Sequence, residues 1–207
     1  PSGKIQPNAA LAFGVLLALA GFLQLSLGCN PLTGFLGLFT LATYLFIYTP
    51  LKRRSWHSTT LGAVPGAMPP LIGFAAATNQ LTPEAWALFA LLFVWQFPHF
   101  YAIAWMYRDE YAAAGIQMLP VVDPDMNSTA RAILWTSIVL IPTSFAPLYF
   151  SMAGLLYLAS ALIMGVVFLR ASWHLYQKRT RVEARGVLLA SVVYLPVLYA
   201  ALIFGPK

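Results

Sequence analysis

Long apolar stretches separated by short polar segments run along almost the whole chain of 207 residues. Each stretch is long enough to cross the membrane as a helix, which needs roughly 20 apolar residues for about 30 Å of hydrocarbon. They predict seven spans at residues 9–28, 32–48, 59–78, 85–107, 132–150, 153–169 and 187–204. The strands of an outer-membrane barrel would alternate apolar and polar residues, which these stretches do not. The pattern therefore predicts an all-α membrane protein, with residues 1–207 as one transmembrane domain.

Composition agrees with this prediction and narrows the class of partner. Hydrophobic residues make up 60% of the chain, charged residues make up 9%, and the mean hydropathy is +0.74. These values lie outside the range of soluble domains. The net charge of +6 is assigned to membrane topology and anionic lipid, because a nucleic-acid-binding protein would need a basic face on a soluble fold. The lipid bilayer is thus a predicted partner, and nucleic acid is not.

The basic residues lie almost entirely on one side of the predicted membrane. With the N-terminus inside, eleven of the twelve Lys and Arg residues, from Lys4 to Arg185, fall in inside segments and only Lys207 falls outside. Such an excess marks the cytoplasmic side of a membrane. The distribution predicts an integral protein of a bacterial inner membrane, or of the mitochondrial inner membrane in a eukaryote. Its active site would face the cytoplasm or the matrix.

One inside connection is acidic. The stretch WMYRDEYAAAGIQMLPVVDPD, residues 105–125, holds Asp109, Glu110, Asp123 and Asp125, four of the six carboxylates of the chain. Its small and turn-forming residues predict a short helix and a turn packed over the bundle. Asp109 and Glu110 are predicted to end the preceding helix and are candidate metal ligands. Asp123 and Asp125 are predicted to form the turn into the next helix.

A basic connection lies on the same predicted side. Lys52, Arg53 and Arg54 follow Tyr48, and Lys52 lies one helical turn after Tyr48 if the helix continues through Pro50. Mg²⁺ prefers oxygen ligands, usually one or two carboxylates together with substrate phosphates and water. An acidic segment near a basic one therefore suits a complex of Mg²⁺ with a diphosphate. The alternative is that the basic residues only follow the positive-inside rule while the acids solvate a loop.

The fourth span carries a predicted polar face. Gln96, His99, Ile103, Met106 and Glu110 recur at steps of three or four residues, which predicts one continuous face from the acidic segment into the membrane. This spacing would place His99 near the middle of the bilayer if Glu110 lies at the mouth. An ionisable residue at that depth is a functional candidate, and the alternative is a structural histidine bonded to a neighbouring helix.

Aromatic and small residues flank this face. The aromatic side chains of the fourth span could line a wall that stabilises a cation and holds a flat or polyprenyl ligand, or they could contact lipid. The aromatic residues concerned are Trp95, Phe97, Phe100, Tyr101 and Trp105, and the interfacial role is favoured for Trp105. In the third span, GAVPGAMPPLIG predicts close helix packing or a broken helix against a cavity, with packing favoured.

Several stretches taken together carry a resemblance to a known family. They are NPLTGFLGLF, YTPLKR, GAVPGAMPPLIGFAAAT, WQFPHFYAIAW and DEYAAAGIQMLPVV. These stretches resemble the UbiA superfamily of intramembrane prenyltransferases, and within it the enzymes that farnesylate heme b, also called protoheme IX. The resemblance runs through nearly the whole chain, and its motifs are long. We therefore regard it as specific.

The resemblance implies a nine-helix bundle around a central cavity, in which the seven spans correspond to helices three to nine. Farnesyl diphosphate, Mg²⁺ and heme b, a substrate rather than a cofactor, would meet there. The residues that the motifs and their surroundings single out are Tyr48, Lys52 and His99 as catalytic, Arg53, Arg54, Arg108, Gln96 and Trp95 as substrate-binding, and Asp109 and Glu110 as metal-binding. The family commonly has Asp directly before the Tyr of its second acidic motif, where this chain has Glu110.

A first acidic motif of the N-D-x-x-D type would precede the third helix of the family. The chain starts at Pro1 without it, so we expect an N-terminally truncated chain that is inactive alone.

The reaction that the resemblance implies joins farnesyl to a heme vinyl group, and water captures the resulting cation. A heme A synthase or another oxidase-assembly protein is an implied partner. Two alternatives stay open: a UbiA-type enzyme with an aromatic acceptor, and a membrane transporter or heme-binding chaperone.

Overall fold

The computed structural model describes residue 3 and residues 5–205. Lys4 and Lys207, which enter the topology prediction, lie outside the described residues, as does Pro1. In the described part of the chain, seven helical segments are long and apolar enough to cross a membrane. They are Pro7–Gly28, Pro31–Leu51, Ser58–Thr78, Pro83–Met106, Asn127–Tyr149, Leu155–Lys178 and Arg181–Phe204. The predicted all-α membrane fold with seven spans is confirmed, while its treatment as one domain stays a prediction.

Three of these spans are divided into shorter helices. The helices are α1 Pro7–Gly28, α2 Pro31–Ala42, α3 Thr49–Leu51, α4 Ser58–Gly66, α5 Met68–Thr78, α6 Pro83–Met106, α7 Arg108–Ala113, α8 Leu119–Val122, α9 Asn127–Thr143, α10 Ala146–Tyr149, α11 Leu155–Lys178 and α12 Arg181–Phe204. A π turn, Thr43–Tyr48, joins α2 to α3 within the second span. The third span is interrupted at Ala67, between α4 and α5.

Local sequence signals explain where several helices begin. The Asn30 side chain accepts a hydrogen bond from the Thr33 backbone N–H at 3.0 Å, and Pro31 occupies the first turn of α2. The Thr180 hydroxyl accepts from the Glu183 backbone N–H at 3.3 Å at the start of α12. Such caps satisfy backbone donors that have no partner within the helix, and proline is tolerated in the first turn because its position needs no donor.

Helices α6, α9, α11 and α12 form the main packed core. Its large buried side chains include Tyr157, Phe168 and Tyr194, each at most 1% exposed. Hydrogen bonds join the helices inside this core: the Tyr157 hydroxyl donates to the Ser144 carbonyl at 2.9 Å. Trp105 belongs to the same core and is 3% exposed, so the interfacial role favoured for it is wrong. This packing fixes α6, the helix from which several candidate residues project.

A smaller cluster joins α2 and α5 to the start of α6. It contains Leu36, Met68, Leu71, Ala75 and Ala85. The Asn30 side-chain amide donates to the Ala75 carbonyl at 2.7 Å, which ties the start of α2 to α5. The second span is thereby held beside the third and fourth spans, and the candidate site lies where these three spans meet the inside connections.

Candidate active site

A cavity of about 720 Å³ lies among the second, third and fourth spans and the acidic connection. Its lining residues are Gly37, Thr40, Leu41, Tyr44, Tyr48, Lys52, Ser58, Thr59, Gly62, Pro65, Gly66, Pro69, Gln96, Phe100, Tyr111, Ile116 and Met118. Three predicted site residues, Tyr48, Lys52 and Gln96, are therefore brought to one cavity. Among the aromatic residues of the predicted wall, Phe100 lines it. A volume of this size lies in the range of small-molecule and cofactor sites.

Tyr48 and Lys52 lie on one continuous turn, as the spacing predicted. The Lys52 backbone N–H donates to the Tyr48 carbonyl at 3.0 Å, and the helix continues through Pro50. The Lys52 ammonium nitrogen lies 5.8 Å from the centre of the Tyr48 ring. The π turn that ends at Tyr48 was not predicted from the sequence. Single π turns inside α-helices are frequent at functional sites.

Two glycines of α4 bring this helix against the site residues. A Cβ atom on Gly62 would lie 2.5 Å from Cδ2 of the Tyr48 ring, and a Cβ on Gly66 would lie 2.1 Å from Oε1 of Gln96. Both distances are far below van der Waals contact, so only glycine permits these approaches. The close packing predicted from GAVPGAMPPLIG is confirmed, and the helix is also interrupted at Ala67, where α4 ends and α5 begins.

Gln96 is held by its amide nitrogen. Its Nε2 donates to the carbonyl of Ala63 in α4 at 3.1 Å and to the carbonyl of Leu92 at 3.2 Å. Only 4% of the residue is exposed. Because both amide hydrogens are engaged, the orientation of the group is fixed and Oε1 remains to accept a hydrogen bond from a molecule in the cavity.

His99 and Trp95 face α12 instead of the cavity. The His99 Nδ1 atom lies 2.8 Å from the Ser191 hydroxyl, and Trp95 donates from Nε1 to the Ser191 carbonyl at 3.0 Å. The two rings stack with centroids 4.5 Å apart. The structure does not bring these two residues to the lining of the cavity. The catalytic role of His99 and the substrate-binding role of Trp95 stay predictions. The contacts that both residues make with Ser191 join α6 to α12.

We expect the replacement of His99 by alanine to act on stability. The change removes the bond to Ser191, which joins α6 to α12, and the stacking against Trp95 within α6. Interhelical hydrogen bonds in membrane proteins contribute about 0.6 kcal/mol on average, so the thermal midpoint in detergent should fall by a few degrees. Substrate KM values measured well below that midpoint should stay within twofold. A loss of heme affinity with an unchanged midpoint would instead support the catalytic prediction.

The continuous face predicted for the fourth span is wrong. Helix α6 ends at Met106, Tyr107 leaves the helical conformation with φ −110° and ψ 33°, and α7 begins at Arg108. Asp109 and Glu110 therefore lie in the first turn of a separate helix and do not end the preceding one. Carboxylates are favourable there because they face the partial positive charge at the start of a helix.

The acidic connection folds back over the basic one. The Gln117 backbone N–H donates to the Lys52 carbonyl at 2.8 Å, and Tyr111, Ile116 and Met118 line the cavity. Helices α7 and α8 lie within this connection. The predicted short helix and turn packed over the bundle are confirmed. The acidic and basic segments, more than fifty residues apart in sequence, meet at one end of the cavity.

The carboxylates of this connection have separate roles. Asp123 accepts hydrogen bonds at Oδ2 from the backbone N–H and the hydroxyl of Thr129, at 2.7 and 2.9 Å. Arg108 donates to the Asp123 carbonyl at 3.2 Å. Asp125 lies exposed in the same turn. The prediction that Asp123 and Asp125 form the turn into the next helix is confirmed, and the predicted substrate contact of Arg108 stays a prediction.

The two candidate metal ligands, Asp109 and Glu110, are exposed and do not line the cavity. Asp109 forms an ion pair with Arg181 at the start of α12, a contact that was not predicted from the sequence. In the part of the chain that the structure describes, no group of three or more His, Cys, Asp or Glu side chains could hold a metal ion. Mg²⁺ commonly takes one or two protein carboxylates and completes its shell with phosphates and water. The adjacent carboxylates of Asp109 and Glu110 fit that limited contribution. Arg53 and Arg54 are exposed on the basic connection and do not line the cavity.

The fold and this site define a class of protein. It is a helical membrane protein whose cavity carries a cation and tyrosine hydroxyls at one end and small and apolar residues along most of its wall. Such a cavity suits an amphipathic ligand with an anionic head and an apolar body. Comparison with known proteins identifies the family.

The model of the UbiA prenyltransferase family matches residues 1–202, and the chain belongs to this family. A protein from Solibacter usitatus named protoheme IX farnesyltransferase is 59% identical over 98% of this chain and 70% of its own length. A protein of the same name from Myxococcus xanthus is 42% identical over 98% of this chain and 69% of its own length. A solved structure of digeranylgeranylglyceryl phosphate synthase superposes with a TM-score of 0.82 at 19% identity, covering 99% of this chain and 72% of its own. The last comparison supports the fold alone.

Proposed function

We propose that this protein transfers a farnesyl group from farnesyl diphosphate to a vinyl group of heme b, releasing diphosphate and forming heme O. The observation that carries this proposal is a cavity that has Lys52 and Tyr48 at one end and small and apolar residues beyond them. The name shared by the relatives supplies the farnesyl group and protoheme IX as acceptor. The basic inside segments support an active site that faces the cytoplasm of a bacterial inner membrane.

The diphosphate of the donor would lie at the mouth. Lys52 reaches it from the basic connection, with Arg53 and Arg54 beside it, and Asp109 and Glu110 would hold Mg²⁺ against its oxygens. Bound Mg²⁺ would neutralise negative charge on the leaving diphosphate. The ammonium of Lys52 acts in the same direction, because the negative charge on the leaving group grows in the transition state.

The bond changes of the transfer balance without an oxidant or a reductant. The C–O bond between farnesyl C1 and the diphosphate breaks, and the terminal carbon of a heme vinyl group bonds to C1. The positive charge left on the inner vinyl carbon is then captured by the oxygen of water, whose proton passes to diphosphate or solvent. Gln96 would orient this water, because its Oε1 can accept a hydrogen bond at the cavity wall. The cavity must exclude other water until the carbon–carbon bond has formed.

The test is a transfer assay with the purified full-length protein in lipid nanodiscs. Farnesyl diphosphate, heme b and Mg²⁺ should yield heme O, detected by liquid chromatography and mass spectrometry, together with an equal amount of diphosphate. The matched control is mesoheme, in which ethyl groups replace the vinyl groups, and it should yield no farnesylated product. Farnesylation of an aromatic acid in place of heme, or the absence of diphosphate release, would contradict the proposal. A heme A synthase or oxidase-assembly partner stays a prediction.

A further inference from the structure

Two buried hydroxyl groups in the cavity wall have no partner within the part of the chain that the structure describes. Ser58 and Thr59 are the first residues of α4, are 1% and 5% exposed, and both line the cavity. Their hydroxyl oxygens form no hydrogen bond with any residue that the structure describes. A buried hydroxyl without a partner destabilises the folded state, and native proteins nearly always satisfy such groups. A partner from outside the chain would remove this cost.

These hydroxyls are not needed to start the helix. The backbone N–H of Ser58 donates to the Ser55 carbonyl at 3.1 Å, and that of Thr59 donates to the Trp56 carbonyl at 3.3 Å. The residue that caps the helix is His57, whose side chain makes no capping bond. Serine and threonine are common at helix starts because they cap them, yet neither hydroxyl does so here.

The hydroxyl pair lies near the cation of the site. Gly62, one turn after Ser58, touches the Tyr48 ring, and the ring centre lies 5.8 Å from the Lys52 ammonium. One turn of α-helix spans about 5.4 Å, so the pair and the cation belong to the same end of the cavity. Neutral O–H donors beside an ammonium group suit a ligand with anionic oxygens, since hydrogen bonds to charged acceptors are the stronger ones.

We infer that Ser58 and Thr59 donate hydrogen bonds to the diphosphate oxygens of the prenyl donor. The inference rests on the proposed function, which supplies the diphosphate, and it adds two neutral donors to the charged groups at the mouth. The shared chemistry is an anionic oxygen, and the propionate groups of heme carry such oxygens too. Each source of anionic oxygen is therefore a separate arm of the experiment.

The experiment measures ligand binding, without farnesyl transfer. The Ser58→Ala and Thr59→Val changes, singly and together, are made in the full protein, with Thr60→Val as the matched control because Thr60 is the exposed neighbour on the same turn. Inorganic pyrophosphate with Mg²⁺, and heme b alone, are titrated by calorimetry in nanodiscs. The double variant should bind pyrophosphate at least tenfold more weakly, and heme within twofold of the wild type. The control should match the wild type in both arms.

Thermal unfolding of the ligand-free protein separates binding from structure. Because the changes delete unsatisfied hydroxyls, the midpoint of the double variant should stay equal to that of the wild type or rise. Unchanged pyrophosphate affinity, a loss confined to heme affinity, or a lowered ligand-free midpoint would each overturn the inference. If the wild type binds pyrophosphate through these hydroxyls but forms no heme O, the proposed function fails and the inference stands. If the wild type forms heme O but the double variant binds pyrophosphate as tightly as the wild type, the proposed function stands and the inference fails.

Discussion

Replacing Lys52 with alanine is expected to lower the rate of farnesyl transfer at saturating heme by at least tenfold. The Lys52 ammonium lies at the cavity end of the basic connection, 5.8 Å from the Tyr48 ring centre. Charge stabilisation in a site that excludes water commonly contributes about 2.7–4 kcal/mol per group, and a tenfold loss corresponds to about 1.4 kcal/mol. The measurement is kcat and KM for farnesyl diphosphate, with heme O quantified by chromatography.

The matched control for this change is Lys178→Ala. Lys178 lies on the same predicted side of the membrane, where its ammonium forms an exposed ion pair with Glu183 at 3.0 Å. Exposed pairs of this kind contribute little to stability, so the control should keep the transfer rate of the wild type. If Lys52→Ala also kept a rate within twofold of the wild type, the role of Lys52 at the diphosphate would be refuted.

Substitution of Gly62 by alanine should lower farnesyl transfer by roughly tenfold without unfolding the protein. The added Cβ would lie 2.5 and 2.8 Å from two carbon atoms of the Tyr48 ring. The ring must therefore move, and Lys52 is on the same turn as Tyr48. A displacement near 1 Å within an active site can reduce the rate by up to about 100-fold. Transfer kinetics and a thermal melt on the same preparation provide the measurement.

Gly73→Ala is the control for Gly62→Ala. Gly73 lies in α5 of the same span, and a Cβ atom there would meet nothing within 4 Å. Because alanine has the higher helix propensity, this variant should retain the transfer rate and a melting temperature at least equal to that of the wild type. Equal activity of the two variants would show that contact between α4 and Tyr48 does not position the site.

The sequence predicts the spans and the Tyr48–Lys52 pair because both depend on local regularities. Spans follow from the length of apolar stretches, and a four-residue spacing puts two side chains on one turn. The acidic connection could also be predicted, since its turn residues and alternating small and apolar residues are typical of a packed segment. None of these inferences requires knowledge of which helices are neighbours.

The predicted polar face failed where tertiary contacts decide the structure. The segment around Tyr107 contains neither glycine nor proline, yet the helix ends there and Arg108 instead reaches the Asp123 carbonyl. Gln96 and His99 are three residues apart, which separates them by about 60° around the helix. That angle is enough for Gln96 to contact α4 while His99 contacts α12. Periodicity shows which residues are close on one helix, but it does not identify the facing helix.

Other features had weaker signals or none. The spacing of Gly62 and Gly66 at four residues is typical of helices that approach closely, but it does not identify their partners Tyr48 and Gln96. The unpartnered hydroxyls of Ser58 and Thr59 become visible only when their surroundings are known. The same holds for the pairing of Arg181 with Asp109, which joins residues 72 positions apart.

The π turn at Thr43–Tyr48 allows the length of the second span and the direction of its Lys52 side chain to vary independently, which a regular α-helix would not allow. A spanning helix must match the thickness of the bilayer, and this one must also direct a cation toward α4. One residue added to a helix turns everything beyond it by about 100° but lengthens it by only about 1.5 Å. The extra residue in the wider π turn therefore rotates Tyr48 and Lys52 around the helix axis, while the length of the membrane-spanning helix stays nearly constant. In related chains, a one-residue gap at this position would redirect the cation while the helix still fitted the membrane.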